Sequence, residues 1–345
     1  MKELRFVMFG AGFWAPYQLA GWQELSGARC VGIFNRTLEK ARQLAERFGI
    51  DRISDDPTSL LESGDVDFVD VVTDPGTHRK YVELAADRGL PAICQKPLAT
   101  TFEDARAMVE RCRRRGTALL VNENWRWQTP LRAVKQVLGN GVIGDVFRGR
   151  VCFNSGFPVF DNQPFLKSLE RFIICDVGVH ILDAIRFLFG EATRVSCEIV
   201  RVNPNIRGED VATLMLAMQS GATVTCELSY ASRLACECFP QTLLTIEGSA
   251  GSIELMPDYV LRTTAAQEVR SERWAPPHYR WADPAYDVVH ASIPACQEHL
   301  LQALRGEQTA ETSGEDNLRT LQLVEAAYQA AATHQVVAIP PHTGT

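Results

Sequence analysis

The sequence predicts an α/β chain in two parts: a doubly wound parallel sheet, then an α+β part built on a large, mostly antiparallel open sheet. Three observations predict it. Short apolar runs alternate with helical patterns through residues 1–124. A glycine-rich turn follows the first of those runs. Beyond about Leu138 the pattern changes to long alternating segments divided by turn signals. A chain of 345 residues has room for two domains with their own cores, placed at 1–124 and 125–345.

In the first part, Leu4–Phe9, Cys30–Phe34, Val66–Val72, Leu90–Cys94 and Ala118–Val121 read as strands. They are mostly apolar rather than strictly alternating, which suits parallel strands covered on both faces. Helical patterns follow them at Tyr17–Leu25, Leu38–Phe48, Thr58–Ser63, His78–Arg88 and Phe102–Arg115. Ligands of such sheets lie beyond the carboxyl ends of the strands, so chemistry is expected just after each run.

In the second part, alternating segments run at Val146–Asn154, Thr193–Val202, Val211–Met218, Thr223–Tyr230, Gln241–Glu247 and Ser252–Met256. Turns such as Gln219-Ser-Gly221 and Gly248-Ser-Ala-Gly251 separate them. A helix over Asp176–Phe189 is expected to pack on this sheet, and helical patterns at Ala291–Arg305 and Gly314–Thr333 to return toward the first domain. An open sheet must cover its second face, so a homodimer or homotetramer is expected.

Net charge of −7 and a pI near 5.6 speak against nucleic acid or an anionic membrane surface as partner. The one basic run, Arg111-Cys-Arg-Arg-Arg115, closes an amphipathic helix, where cations complement the helix dipole. No apolar stretch approaches the ~20 residues that cross a bilayer. The N-terminus enters a strand without a signal-like segment, so a cytoplasmic protein is expected. The ten cysteines are scattered through apolar segments and read as buried free thiols. Cys236 and Cys238 have no second pair or histidine at zinc spacing, and no metal is expected.

Gly10-Ala-Gly12-Phe13-Trp14-Ala15 sits between the first strand and the first helix. Gly10 permits the tight turn, Gly12 lets the backbone approach a pyrophosphate, and Ala15 allows close helix–strand packing. The phosphates would rest on amides at the helix N-terminus, flanked by Phe13 and Trp14. The turn thus points to a dinucleotide on a Rossmann-type βαβ unit. Where a carboxylate often reads the adenosine ribose stand Asn35 and Arg36. Neither repels a 2′-phosphate, so this chemistry leans toward NADP, although Asn35 also suits a helix cap.

Thr73 and His78 follow the third run and are expected near the cofactor, although Pro75 and the polar groups also serve as helix start signals. Lys96, after Gln95 and before Pro97, can fix a substrate hydroxyl and stabilise a developing alkoxide. Far downstream lie Asp176, Gly178 and His180. Asp176 and His180 share a helix face, Gly178 would leave room for a ligand, and His180 can accept an alcohol proton. Asn124 and Arg126 could bind substrate oxygens, with Trp125 and Trp127 as an apolar wall or as core.

Together these segments resemble the glucose–fructose oxidoreductase and inositol dehydrogenase family, the Gfo/Idh/MocA proteins, over nearly the whole chain. The resemblance rests on the Gly-x-Gly-x-x-Ala turn, Thr73 to His78, Lys96-Pro97, Asp176-x-Gly-x-His180 and Glu311-Thr-Ser-Gly-Glu-Asp316. It implies that Lys96 meets both nicotinamide ribose and substrate, and that Asp176 and His180 line the substrate site. Gln95, expected with Lys96 beside the cofactor, departs from the family's usual glutamate, which leaves the lysine in place but removes a charge that could orient it. Within the family, Cys94-Gln-Lys-Pro97, Asn124-Trp-Arg-Trp-Gln128 and Phe160-Asp-Asn-Gln-Pro-Phe165 are similar to a subgroup that oxidises a branched pentose to a lactone with NAD. That similarity makes NAD the cofactor and places Gln163 beside cofactor and substrate.

The expectation is an NAD(P)-dependent dehydrogenase for a sugar or polyol hydroxyl, with an aldose oxidised at its anomeric carbon as the specific case. Lys96 would position the hydroxyl, His180 accept its proton and Asp176 orient the basic groups. Three alternatives stay open: an inositol or other polyol dehydrogenase, a glycosidase-type enzyme with tightly bound NAD, and a non-enzymatic cofactor-sensing regulator.

Overall fold

The chain is described by a computed structural model covering residues 3–62 and 64–340. Ser63, the last residue of one predicted helix, lies outside the described residues. The chain divides into two compact units. One holds the residues through Asn124 together with His278–Ala285 and His290–Leu318; the other holds Trp125–Pro277, Tyr286–Val289 and the chain from Arg319 onward.

The first unit is a six-stranded parallel sheet of β1 (Leu4–Phe9), β2 (Ala28–Phe34), β3 (Ile53–Ser54), β4 (Phe68–Val71), β5 (Ala92–Gln95) and β6 (Leu119–Asn122). Helices α1 (Ala15–Gln23), α2 (Leu38–Phe48), α3 (Pro57–Leu61), α4 (Pro75–Asp87) and α5 (Phe102–Arg115) connect them. The strand order β3-β2-β1-β4-β5-β6 reverses between β1 and β4, the crevice where such sheets take a dinucleotide. Strand β3 was not predicted; two residues are too short to carry a hydrophobic pattern. The core packs Phe6 on Phe68, with ring centroids 5.0 Å apart, and Phe9 edge-on against Phe34 and Tyr81. Asp74 caps α4 by accepting from the Gly76 amide at 3.0 Å, and Thr101 caps α5 from Asp104 at 3.1 Å. The Arg113–Arg115 triplet falls in the last turn of α5, where its charge suits the helix dipole.

The second unit is a nine-stranded sheet. Its strands are β7 (Val146–Asn154), β8 (Ala192–Val200), β9 (Val211–Met218), β10 (Thr223–Ser229), β11 (Leu243–Gly248), β12 (Gly251–Met256), β13 (Val260–Ala265), β14 (Glu268–Arg273) and β15 (Val337–Ala338). In the order β14-β13-β12-β11-β7-β10-β9-β8-β15, only β7 and β10 pair in parallel. Prediction missed β13, β14 and β15, because β14 is exposed along its whole length and shows no apolar alternation. The helix Val179–Phe189 covers one face, with the Phe189 ring against Gly149 of β7. Strands β7 and β9 turn Val151, Phe153, Leu214 and Leu216 to that face and Arg150, Thr213 and Met215 to the other.

Among the described residues all ten cysteines are free. Cys236 departs from the buried-thiol expectation: it lies exposed between β10 and β11, outside any strand. No described helix is long and apolar enough to cross a membrane.

Candidate active site

The glycine turn is built as its sequence requires. Gly10 has φ 115°, and a Cβ there would stand 2.2 Å from the Val72 carbonyl oxygen, so only glycine lets β1 run this close to β4. At Gly12 the space where a side chain would stand is open. Ala15 is fully buried at the start of α1, while Phe13 is 63 % exposed beside the turn and Trp14 half-buried. The amides of Gly12 and Phe13 point into no bond among the described residues, which leaves donors for an anionic group. Bare backbone donors under open space fit a pyrophosphate.

Asn35 buttresses this turn. Its Oδ1 accepts from the Ala11 amide at 3.1 Å and its Nδ2 donates to the Thr37 carbonyl at 2.8 Å. Arg36 is exposed at the same strand end. The expectation for His78 is corrected. Its ring is fully buried, with Nδ1 3.1 Å from the Pro97 carbonyl oxygen and Nε2 3.1 Å from that of Thr73. A group without accessible surface cannot touch a ligand; His78 braces the Thr73 turn against the turn after β5. Burial lowers its basicity, while the carbonyl oxygens facing both ring nitrogens favour the protonated form. Thr73 is half-buried, its hydroxyl accepting from Thr77 Oγ1 at 2.9 Å.

Lys96 is half-buried just past the carboxyl end of β5, and the Lys96–Pro97 bond is cis. Gln95 is buried beneath it and donates from Nε2 to Gln18 Oε1 at 3.0 Å. Gln18 in turn donates to Asp70 on β4, a fully buried carboxylate that also accepts from Trp22 and Asn122. Burial pushes the Asp70 carboxyl up to about 6, although the three donors favour its ionised form. Asp70 was missed because it is one acid inside an otherwise apolar strand. A buried acid in a parallel strand was itself the signal, since it must be satisfied or functional. Asn124 is buried and donates to Ser292 at 2.7 Å, and it packs with Trp14, Gln18, Gln95 and Asn122 around a gap too small for a water molecule.

In the second unit, Ile174–Gly178 forms a π-helical turn ahead of the helix Val179–Phe189. Such turns cluster at functional sites. Asp176 is half-buried on this turn, and His180 follows on the helix with 5 % of its surface exposed. The His180 ring stacks on Trp125, with centroids 4.6 Å apart and planes inclined by 6°. The role expected for Gly178 is corrected: a Cβ there would come 2.8 Å from Leu228 of β10 and 3.1 Å from the Ile173 carbonyl oxygen. Glycine lets the π turn seat on the sheet; it does not open room for a ligand. Tyr230, just past β10, was also missed; burial and the Asp176 charge raise its pKa well above the usual phenol range, keeping its O–H as a donor. Gln163 is half-buried in the segment after β7, beside the exposed Phe165.

Arg126 does not present itself to a substrate. It forks onto Asp183 through Nε at 2.5 Å and Nη2 at 2.8 Å, both side chains being buried. Thr320 Oγ1 also donates to that carboxylate at 2.7 Å. Trp127 is buried and takes the Arg132 guanidinium on its face at 4.7 Å, which makes it core.

The family described as an oxidoreductase family with an NAD-binding Rossmann fold matches residues 4–123, and the Gfo/Idh/MocA C-terminal domain matches residues 131–254. A D-apiose dehydrogenase of Paraburkholderia graminis is 44 % identical over 98 % of this chain and 90 % of its own length. One from Rhizobium rhizogenes is 43 % identical over 98 % of both chains. The crystal structure of an oxidoreductase from Agrobacterium radiobacter, in complex with NAD+, L-tartaric acid and magnesium, superposes with a TM-score of 0.96 at 43 % identity, covering 98 % of this chain and 99 % of that one. The chain belongs to the Gfo/Idh/MocA oxidoreductase family, and its first unit is that family's NAD-binding Rossmann domain.

Proposed function

We propose that this chain is an NAD-dependent sugar dehydrogenase that oxidises D-apiose at its anomeric carbon to D-apionolactone. The observation that carries the reading is the similarity of 43–44 % to two D-apiose dehydrogenases across nearly the whole chain. When bound, NAD+ supplies the hydride acceptor; the chain's own side chains handle the hydroxyl and its proton. Lys96, a cation at a strand end, holds the anomeric oxygen and steadies its negative charge as the O–H bond weakens. His180 takes that proton, and Asp176 orients the basic groups. Asn124, Gln163 and the phenol of Tyr230 offer hydrogen bonds for the remaining hydroxyls.

A homodimer or homotetramer is part of the same reading. The sheet face opposite the helix Val179–Phe189 carries Met215 of β9, 53 % exposed, in register with Thr225 of β10 and Arg150 of β7. A second copy covering that face would remove this surface from water. Light scattering on the eluting protein tests it: two or four copies are expected, and a monomer at micromolar concentration contradicts it.

The reaction is tested by following NADH at 340 nm with D-apiose, other pentoses, hexoses and inositols, each with NAD+ and NADP+. The expected result is turnover with D-apiose and NAD+ at a kcat/KM at least about tenfold above every other pair. Preference for an inositol would move the chain to the polyol dehydrogenases, and no sugar-dependent NADH with any substrate would overturn the reading.

A further inference from the structure

A directed chain of hydrogen bonds runs from a buried carboxylate to the residue preceding Lys96. Asp70 Oδ2 accepts from Trp22 Nε1 at 2.7 Å and from Gln18 Nε2 at 3.0 Å, and its Oδ1 accepts from Asn122 Nδ2 at 3.3 Å. An indole N–H can only donate, so the atom it meets must be an acceptor, and Gln18 must turn its Nε2 to that same atom. Gln18 Oε1 therefore faces Gln95, which can answer only with its Nε2, at 3.0 Å. Each amide's direction is dictated by the one before it. The chain ends on Gln95 Oε1, a carbonyl oxygen with accessible surface and no protein donor among the described residues.

The sheet says which end of a dinucleotide arrives there. Across the switch point between β1 and β4, the adenosine half lies toward β2, where Asn35 stands, so the nicotinamide half lies toward β5 and β6. Gln95 and Asn122 are register partners at the ends of those two strands. The nicotinamide group that carries an N–H donor is its carboxamide.

We propose that Asp70, acting through Gln18, fixes Gln95 so that its carbonyl oxygen accepts the carboxamide N–H of nicotinamide and thereby sets how the ring lies. Asp70 and Gln18 are positioning residues, since neither meets the ligand, and Gln95 is the contact. The inference rests on the NAD-site reading and deepens it. It also gives the glutamine at position 95 a use: an amide can be steered by its neighbour, with one end donating to the relay and the other left as an acceptor.

Titration calorimetry with NAD+ and with 3-acetylpyridine adenine dinucleotide tests it, because the analogue carries a methyl group where the carboxamide has its NH2. The wild-type chain should bind NAD+ about tenfold more tightly, the worth of one well-placed hydrogen bond. Gln18→Leu should lower NAD+ affinity to that of the analogue and leave the analogue unchanged. Gln95→Met, which ends the relay without touching the carboxylate, should do the same. Asp70→Asn keeps an oxygen for Trp22 and Gln18 and should retain the preference. Equal binding of both ligands by the wild type would overturn the proposal, as would a preserved preference in Gln18→Leu and Gln95→Met. A parallel loss of both ligands in those variants, or loss of the preference in Asp70→Asn, would do so too. No sugar enters the titration, so its outcome is separate from that of the sugar assay.

Discussion

The imidazole of His180 lies flat on the indole of Trp125, centroids 4.6 Å apart and planes within 6° of parallel. Stacking of this kind fixes the plane of the ring proposed to take a proton, leaving rotation within that plane as the freedom to be set by other contacts. The indole, read from the sequence as either wall or core, is the support of the proposed base.

Replacing that support should cost rate rather than binding. In Trp125→Leu the imidazole loses its platform, and kcat is expected to fall about tenfold or more. The Kd for NAD+ should stay within about twofold, because both residues lie in the second unit. Steady-state kinetics paired with calorimetry separates the two effects; an unchanged kcat would remove orientation from the role given to Trp125.

The Arg126–Asp183 pair predicts a stability effect where a substrate contact was expected. Arg126→Ala leaves a buried carboxylate with Thr320 and a more distant Arg186, 3.5 Å away. Breaking a buried pair of this kind costs roughly 3 kcal/mol or more, and Arg126→Lys loses the fork geometry and should fall between. Thermal or urea unfolding checks this. A normal unfolding midpoint combined with a selectively raised sugar KM would restore Arg126 to the substrate site.

How much of this was legible follows the physics of each residue. The glycine turn, the strand ends and the lysine were readable because each is a local pattern: an apolar run, then a residue type that its turn demands. The long alternation of β7 and β9 announced the second sheet for the same reason. What stayed hidden depended on neighbours far away in sequence. Nothing local tells that Arg126 meets Asp183, 57 positions on, or that Gly178 is shaped by Leu228. His78 was placed near the cofactor because it follows a strand; burial, which no single sequence displays, turned it into a brace. Asp70 was passed over because its three donors come from α1 and β6.

Asp70 also carries a pH prediction with a definite sign. Its folded pKa stands at about 6 against an ordinary 3.8, so the folded chain holds the proton more tightly than the unfolded one. The groups around it are Gln18, Trp22 and Asn122, with the thiols of Cys30 and Cys94 within its field, and among the described residues no cation contributes to its shift. Its contribution to stability is therefore greatest below about pH 4, falls as pH rises toward 6, and is flat above; the full change is about 3 kcal/mol. Asp70→Asn lacks this term, so its stability relative to wild type should improve by up to that amount between pH 4 and pH 7. Urea unfolding at the two pH values checks it; a constant difference would mean that Asp70 titrates as it does in water.

The proposed reaction hangs on an ammonium group past the end of β5. Lys96→Met keeps the length of the side chain and removes the charge. The decisive quantity is its initial rate of NADH formation at 340 nm from D-apiose, at an NAD+ concentration shown by calorimetry to saturate the variant. A rate lower than wild type by about 100-fold or more, with NAD+ still bound, is the expected result. A rate within a few-fold of wild type would contradict the role assigned to Lys96 and with it the proposed chemistry.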